Sequence, residues 1–216
     1  MLSRNMNLVP VGLLCLMTLV GCKRAVDWAA SNFNQGESAD VPLTIVKPYI
    51  KSVVVHSQLS TRGIFDAIWL SDAVRTASTD VLIMRSGKSI EQHHALLRRQ
   101  LEENKHYIMF YVLTEYDIPL GDCSEWQLFL KVGEHTYQPR ELRVVDLPCE
   151  YKAFFGRRYM KTKMAYLVKF DMADTNEQPI IIPHHTQSMQ LCLRTVEKQT
   201  ALEWLLDDST KAVRDV

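Results

Sequence analysis

The chain reads as a mainly β protein of the α+β class, an antiparallel β-sandwich carrying two early helices. Three observations point there. From His106 onward, apolar residues recur with period two in short stretches bounded by turn residues. Upstream of His106, two stretches repeat with the helical period instead. And 216 residues, 47 % of them hydrophobic, hold enough apolar side chain for the core of one ordinary domain.

Taken in order, the chain opens on a segment that is not part of that domain. Residues 1–21 carry a single charge, Arg4, and an apolar run from Leu8 to Val20 interrupted only by Pro10, Gly12 and Thr18. As a helix that run is ~20 Å long, short of the ~30 Å of a bilayer's hydrocarbon. A basic start, a short apolar stretch and a small residue before a cut are the pattern of a secretory signal peptide. Its end, Leu19-Val20-Gly21-Cys22, resembles the lipobox of bacterial lipoproteins. In that family an apolar residue sits in the protease groove, a small residue gives access to the bond, and the cysteine thiol takes up a diacylglyceryl group. The resemblance implies cleavage before Cys22, acyl chains on Cys22 and a membrane-anchored, exported protein. Each buried methylene of those chains adds ~0.8 kcal/mol to anchoring. Lys23 and Arg24 suit anionic headgroups. Lys23 also stands where aspartate would be an inner-membrane retention signal, so the resemblance implies the outer membrane if the source is Gram-negative. Residues 22–48 are the lipidated N-terminus and a tether, polar and without periodicity over 31–48, with Trp28 suited to the headgroup layer.

The globular domain is expected over residues 49–206, ahead of a charged tail at 207–216. Val53, Val55 and Leu59 mark a first strand. Helices are expected near 64–77, with Leu70, Val74 and Ala77 on one face, and near 89–104, with Ser89 as N-cap and Gln92 as its capping-box partner. His106 to Glu115 is apolar on both faces, as in a covered central strand. Trp126–Val132, Leu142–Val145, Met164–Met172 and Met189–Leu193 alternate, with a turn at Gly133-Glu134. Ile180-Ile181-Ile182, between two prolines, reads as an edge strand, and Thr200–Leu206 as a closing strand or helical turn. On this pattern Tyr107 to Leu206 resembles immunoglobulin-like modules of anchored surface proteins.

Candidate chemistry is sparse. Lys+Arg and Asp+Glu are 25 each, so there is no basic surplus for nucleic acid. Export permits disulfides, and Cys123 with Cys149, both in turn-like contexts, is the candidate pair. Cys192 has no local partner that would activate it. His93-His94 and His184-His185 lack metal-ligand spacing, so no metal is expected. No nucleophile elbow, phosphate loop or Ser-x-x-Lys occurs, and neither Glu102-Glu103 nor Asp171 with Asp174 makes a catalytic pair by spacing alone. Trp69, Trp126 and Trp204 sit in apolar patterns as core anchors. The aromatic and basic stretch of Tyr151, Phe154, Phe155, Arg157, Arg158 and Tyr159 is the candidate binding patch. The competing account is a twisted strand and turn whose cationic stems cover the core edge.

These readings converge on a membrane-anchored cell-envelope lipoprotein acting as a non-catalytic binding or assembly module. It would be held by membrane lipid through Cys22 and have an envelope protein as partner, with no cofactor. The alternatives are an envelope hydrolase acting on cell-wall polymer, and a carrier of lipid or another small ligand.

Overall fold

The folded part opens on a short helix and a 3-10 turn that lead into a hairpin of two strands. The computed structural model describes residues 40–57, 60–87, 89–115, 118–121, 124–160, 163–173, 178–181 and 186–206. The chain divides into two compact units, Met1–Asp40 and Val41–Val216, and apart from Asp40 the described residues belong to the second. A short helix, α1 (Asp40–Val46), and a 3-10 turn at Lys47–Tyr49 lead into β1 (Ile50–Ser57) and β2 (Ser60–Trp69). Val46 is fully buried, so the tether expected over 22–48 does not extend to the end of α1, where an apolar side chain is held in the core. β1 and β2 form an antiparallel hairpin from Ile50↔Ile68 to Ser57↔Ser60, with a bulge at Val55/His56.

The helix expected at 64–77 is displaced. Residues up to Trp69 are strand, and α2 runs over Asp72–Ser86. Phe65, Ala67 and Trp69 bury one face of β2 while Ile68 buries the other, and burial on both faces erases the alternation that marks a strand. Ser71 starts α2 by accepting a 3.4 Å bond from the Val74 amide, as an N-cap does. Gly87, at φ +61°, ends it in the left-handed conformation that glycine adopts without a steric penalty. The second helix, α3 (Ile90–His106), starts where expected. Ser89 and Gln92 form the complete capping box.

β3 (Tyr107–Glu115) follows directly, then β4 (Gln127–Val132), β5 (His135–Tyr137), β6 (Glu141–Val145), α4 (Cys149–Phe155), a 3-10 turn at Gly156–Arg158, β7 (Lys163–Asp171), β8 (Ser188–Arg194) and β9 (Gln199–Leu205). They build two antiparallel sheets, β1-β2-β3-β7-β6 and β5-β4-β8-β9. The described residues are thus mainly antiparallel β with four helices, a sandwich-like α+β fold. β1 and β2 complete the large sheet, so the sandwich draws on both halves of the chain. Ile180 and Ile181 are buried, but the expected edge strand reduces to an isolated bridge between Ala173 and Pro179.

The large sheet is covered on both faces. Toward the small sheet it presents Phe65, Ala67, Trp69, Ile108, Phe110, Val112, Tyr166, Val168 and Phe170, which meet Leu128, Leu130, Met189, Leu191 and Trp204. Phe65 lies against Trp126 at 4.8 Å between ring centroids, and Phe110 against Trp204 at 5.1 Å, so Trp69, Trp126 and Trp204 are core residues as expected. On the opposite face Ile68, Met109, Leu113 and Leu167 meet α2 through Val74, Ala77 and Val81, and α4 through Tyr151, Phe154 and Phe155.

That second face also holds ions. The side chains of Asp66 and Lys163 are 3 % and 7 % exposed and pair with each other, Ser52 donates to Asp66, and Arg158 Nε donates to Ser52 Oγ at 2.9 Å. Removing one partner of a buried pair strands the other. Lys163→Ala is therefore expected to lower the unfolding free energy by about 3–5 kcal/mol, read by urea denaturation. Arg143→Ala, which breaks the exposed pair with Glu141, should stay within about 1 kcal/mol. Equal losses would contradict this assignment.

Candidate functional site

The sheet topology leaves an opening at the β5 edge of the small sheet. β4 and β5 are joined by the two-residue turn Gly133-Glu134, with Val132 opposite His135 and Gly133 at φ +58°, a value that favours glycine in tight hairpins. β5 is only three residues long and stops the sheet there. From the end of β7 the chain folds back: the Ile180 amide donates to Met172 O at 2.8 Å and pulls Ile180 into the inter-sheet core. Leu206 N donates to Gln187 O at 2.8 Å and fixes the approach to β8.

Between the hairpin and these two segments lies a half-open cleft of about 490 Å³, within the usual range for small-molecule sites. The described residues that line it are Val132, Gly133, His135, Tyr137, Gln178, Pro179, Ile180, Thr186, Gln187 and Ser188. His135, Pro179 and Gln187 are exposed, whereas Tyr137 is half-buried and packs partly on the inter-sheet core. Amides, hydroxyls and an imidazole offer both donors and acceptors. Among the described residues, no side chain lining the cleft is a carboxylate, ammonium or guanidinium.

The residues singled out from the sequence fare differently. Leu19, Val20, Gly21, Cys22 and Trp28 lie outside the described residues, as do Cys123, His184, His185 and Asp174. Cys149 has a free, exposed thiol at the start of α4. Cys192 is fully buried between Phe129 and Ala201 of the neighbouring strands, and burial pushes its thiol up, away from the reactive thiolate. His93 and His94 stack at 5.5 Å. Asp80 Oδ1 lies 3.2 Å from His93 Nε2 but outside hydrogen-bonding direction. Glu102 pairs with Lys105 at 2.9 Å, and Asp171 with Arg140 at 2.8 Å. Among the described residues, no three His, Cys, Asp or Glu side chains converge as a metal site, and no helix is long and apolar enough to cross a membrane.

The aromatic–basic stretch is split rather than assembled. Tyr151, Phe154 and Phe155 are 2 %, 4 % and 1 % exposed because α4 turns that face onto the large sheet. They form part of the core, not a surface patch, and the stretch is helix rather than a twisted strand. Arg157 and Arg158 are exposed in the 3-10 turn, and Tyr159 is half-buried with Lys152 Nζ 5.4 Å above its ring.

A second polar group, beneath α2 and α3, is closed by its own pairing. Arg75 Nη2 reaches Glu103 Oε2 at 3.2 Å, and Lys169 Nζ reaches Glu103 Oε1 at 2.9 Å. Asn104 Nδ2 donates to Leu70 O and Asp72 Oδ1 at 2.9 and 2.7 Å. Tyr151 OH donates to Ser78 Oγ at 3.1 Å, and its ring meets Tyr111 at 4.8 Å. These bonds join helices to sheet, and the open cleft remains the candidate site. Gln178, Gln187 and Ser188 carry no motif. The Gly133-Glu134 turn is the one sequence signal adjacent to the cleft.

Comparison with protein-family models, with curated proteins and with solved structures gave no match for this chain.

The tyrosines give the polar group beneath the helices a pH signature. Burial, and after it the adjacent Tyr151, pushes the Tyr111 hydroxyl up to about 12 from an ordinary 10, and burial likewise raises Tyr151. The folded chain therefore keeps protons that the unfolded chain releases near pH 10. Stability is unaffected by these groups below that pH and falls as pH rises from 10 through about 12. Urea unfolding across that range should show the decline, and Tyr111→Phe should make it shallower. An unchanged slope would contradict the assignment.

Proposed function

We propose that this chain is an exported lipoprotein, cut before Cys22 and held on a membrane by acyl chains on that cysteine, whose folded domain is a non-catalytic binding or assembly module of the cell envelope. The observation that carries the reading is the lipobox Leu19-Val20-Gly21-Cys22 at the end of a short apolar segment with a basic start. The rest of the chain supports the reading. The Cys22 anchor meets membrane lipid, which is the outer membrane in a Gram-negative source, and the domain is free to meet an envelope protein. A rigid sandwich with a half-open cleft of donors, acceptors and apolar faces has the equipment of recognition.

The test follows the lipid and the partner together. Cells expressing the chain or its Cys22→Ala variant are labelled with an alkyne fatty acid, fractionated and crosslinked, and the adducts are identified by mass spectrometry. The wild-type chain should carry label, sediment with membranes and give a discrete envelope-protein adduct. The variant should carry no label and leave the membrane fraction. A variant that still sediments with membranes after a salt wash would overturn the anchor. A labelled, anchored chain that turns over wall polymer in vitro would overturn the non-catalytic reading.

A further inference from the structure

We propose that the surface around Arg157 and Arg158, at the β1 edge of the large sheet, docks on the anionic headgroups of a lipid membrane. The inference rests on the lipoprotein reading, which puts a membrane within reach, and deepens it by naming the face turned toward the lipid.

Charge sets the character of this surface. The chain as a whole balances 25 cations against 25 anions. The stretch from Tyr151 to Phe170 does not: every charged side chain in it is Lys or Arg. Some of these cations are neutralised where they stand. Lys152 Nζ reaches Asp146 at 2.9 Å, Lys169 Nζ reaches Glu103 and Glu141, and Lys163 is buried against Asp66. Arg157 and Arg158 are left at the surface, in the 3-10 turn after α4. Arg158 Nε lies 3.8 Å from Asp66 Oδ1, but that carboxylate already pairs with Lys163, so the group of three keeps a positive charge. Arg157 takes no part in an ion pair among the described residues. Gln58, Leu59, Lys161 and Thr162, which border this surface in sequence and lie outside the described residues, include no acid. The sign of the surface therefore does not depend on where they stand.

Apolar side chains stand among the cations. Arg158 Nε donates to Ser52 Oγ at 2.9 Å, which ties the turn to β1. Val54, two residues along the strand on the same face as Ser52, is 45 % exposed, and Met160, two residues past Arg158, is 57 % exposed. A membrane interface takes both kinds of group: the apolar ones enter the acyl boundary while the cations meet the headgroups. A guanidinium also matches the oxygens of a phosphate with its planar fork of donors. A free phosphate in solution would use the arginines alone and leave Val54 and Met160 in water.

The anchor favours lipid over an acidic protein. Fully extended, the chain from Cys22 to Asp40 reaches at most about 60 Å. A domain held through Cys22 therefore meets headgroups at a high effective concentration. It is also through α1 and the 3-10 turn at Lys47–Tyr49 that the chain leads into β1, the strand that carries Ser52 and Val54. Each cation that comes to lie at an anionic membrane surface multiplies the docked population about fivefold.

The test places the full chain on vesicles of phosphatidylcholine alone, or of phosphatidylcholine mixed with phosphatidylglycerol. Hydrogen exchange at Gly156–Met160 is followed by mass spectrometry. Slower exchange on the phosphatidylglycerol vesicles, lost in high salt, is expected. Arg157→Gln should reduce the docked population about fivefold, and Arg157→Glu should abolish the difference between the two lipids. Arg143→Gln, on β6 at the opposite edge of the sheet, should leave it unchanged, and circular dichroism should show all variants folded. Equal exchange on both kinds of vesicle, a difference that survives high salt, or one untouched by Arg157→Glu would each overturn the inference. Protection of the turn by polyglutamate but not by phosphatidylglycerol would overturn it in favour of an acidic protein. The Cys22→Ala chain, mixed with the same vesicles at high lipid concentration, should still show the phosphatidylglycerol-dependent slowing. Loss of that slowing in an acylated chain leaves the anchor standing, and docking by a chain that carries no acyl label leaves this surface standing.

Discussion

The large sheet has to be covered twice, and most of the architecture is a consequence. β3 is apolar on both faces, with Ile108, Phe110 and Val112 on one and Met109 and Leu113 on the other, and β7 beside it buries Val168 and Phe170 on one face and Ala165 and Leu167 on the other. Exposing either face would forgo ~25 cal/mol for each Å² of apolar surface left in water. The four-stranded sheet covers one face. α2 and α4, two helices inserted at different points of the β topology, cover the other. α3 has a different part: of its residues only Asn104 is buried, and that side chain ties the end of β2 to α2 through Leu70 O and Asp72.

The helix-covered face is also where the buried charge lies. Asp66 pairs there with Lys163, and Arg75 and Lys169 both reach the half-exposed Glu103. Pairs of this kind add little net stability compared with apolar residues of the same shape, yet removing one member is costly. The sheet-on-sheet interface needs no such device, because two pleated surfaces with alternating side chains interdigitate directly.

How much of this is visible in the sequence depends on the number of faces an element buries. β4 and β8 alternate clearly, and β7 does so at its ends, where Lys163, Lys169 and Asp171 stand opposite its apolar face, although Ala165 and Leu167 bury its other face as well. The Ser89–Gln92 capping box marks the start of α3 to the residue. β2 is hidden, because burial of Phe65 and Ile68 on opposite faces looks the same as a helical stretch. α4 leaves a trace that its aromatic chemistry masks: Tyr151, Phe154 and Phe155 are spaced i, i+3 and i+4, the stripe of a helix facing a core. The cleft leaves almost none. Its walls come from positions as far apart as Val132 and Ser188, joined only when β4 pairs with β8, and neither glutamine nor serine announces a site from its neighbours in sequence.

The double cover of the large sheet is open to one direct measurement, native-state amide hydrogen exchange on the full chain followed residue by residue. Amides of β3 and β7 should exchange slowest, at the rate set by global unfolding, with β5 and β6 at the sheet edges exchanging faster through local opening. Exchange in β3 and β7 as fast as at those edges would contradict the account, because a sheet buried on both faces has no local route by which its central strands can open.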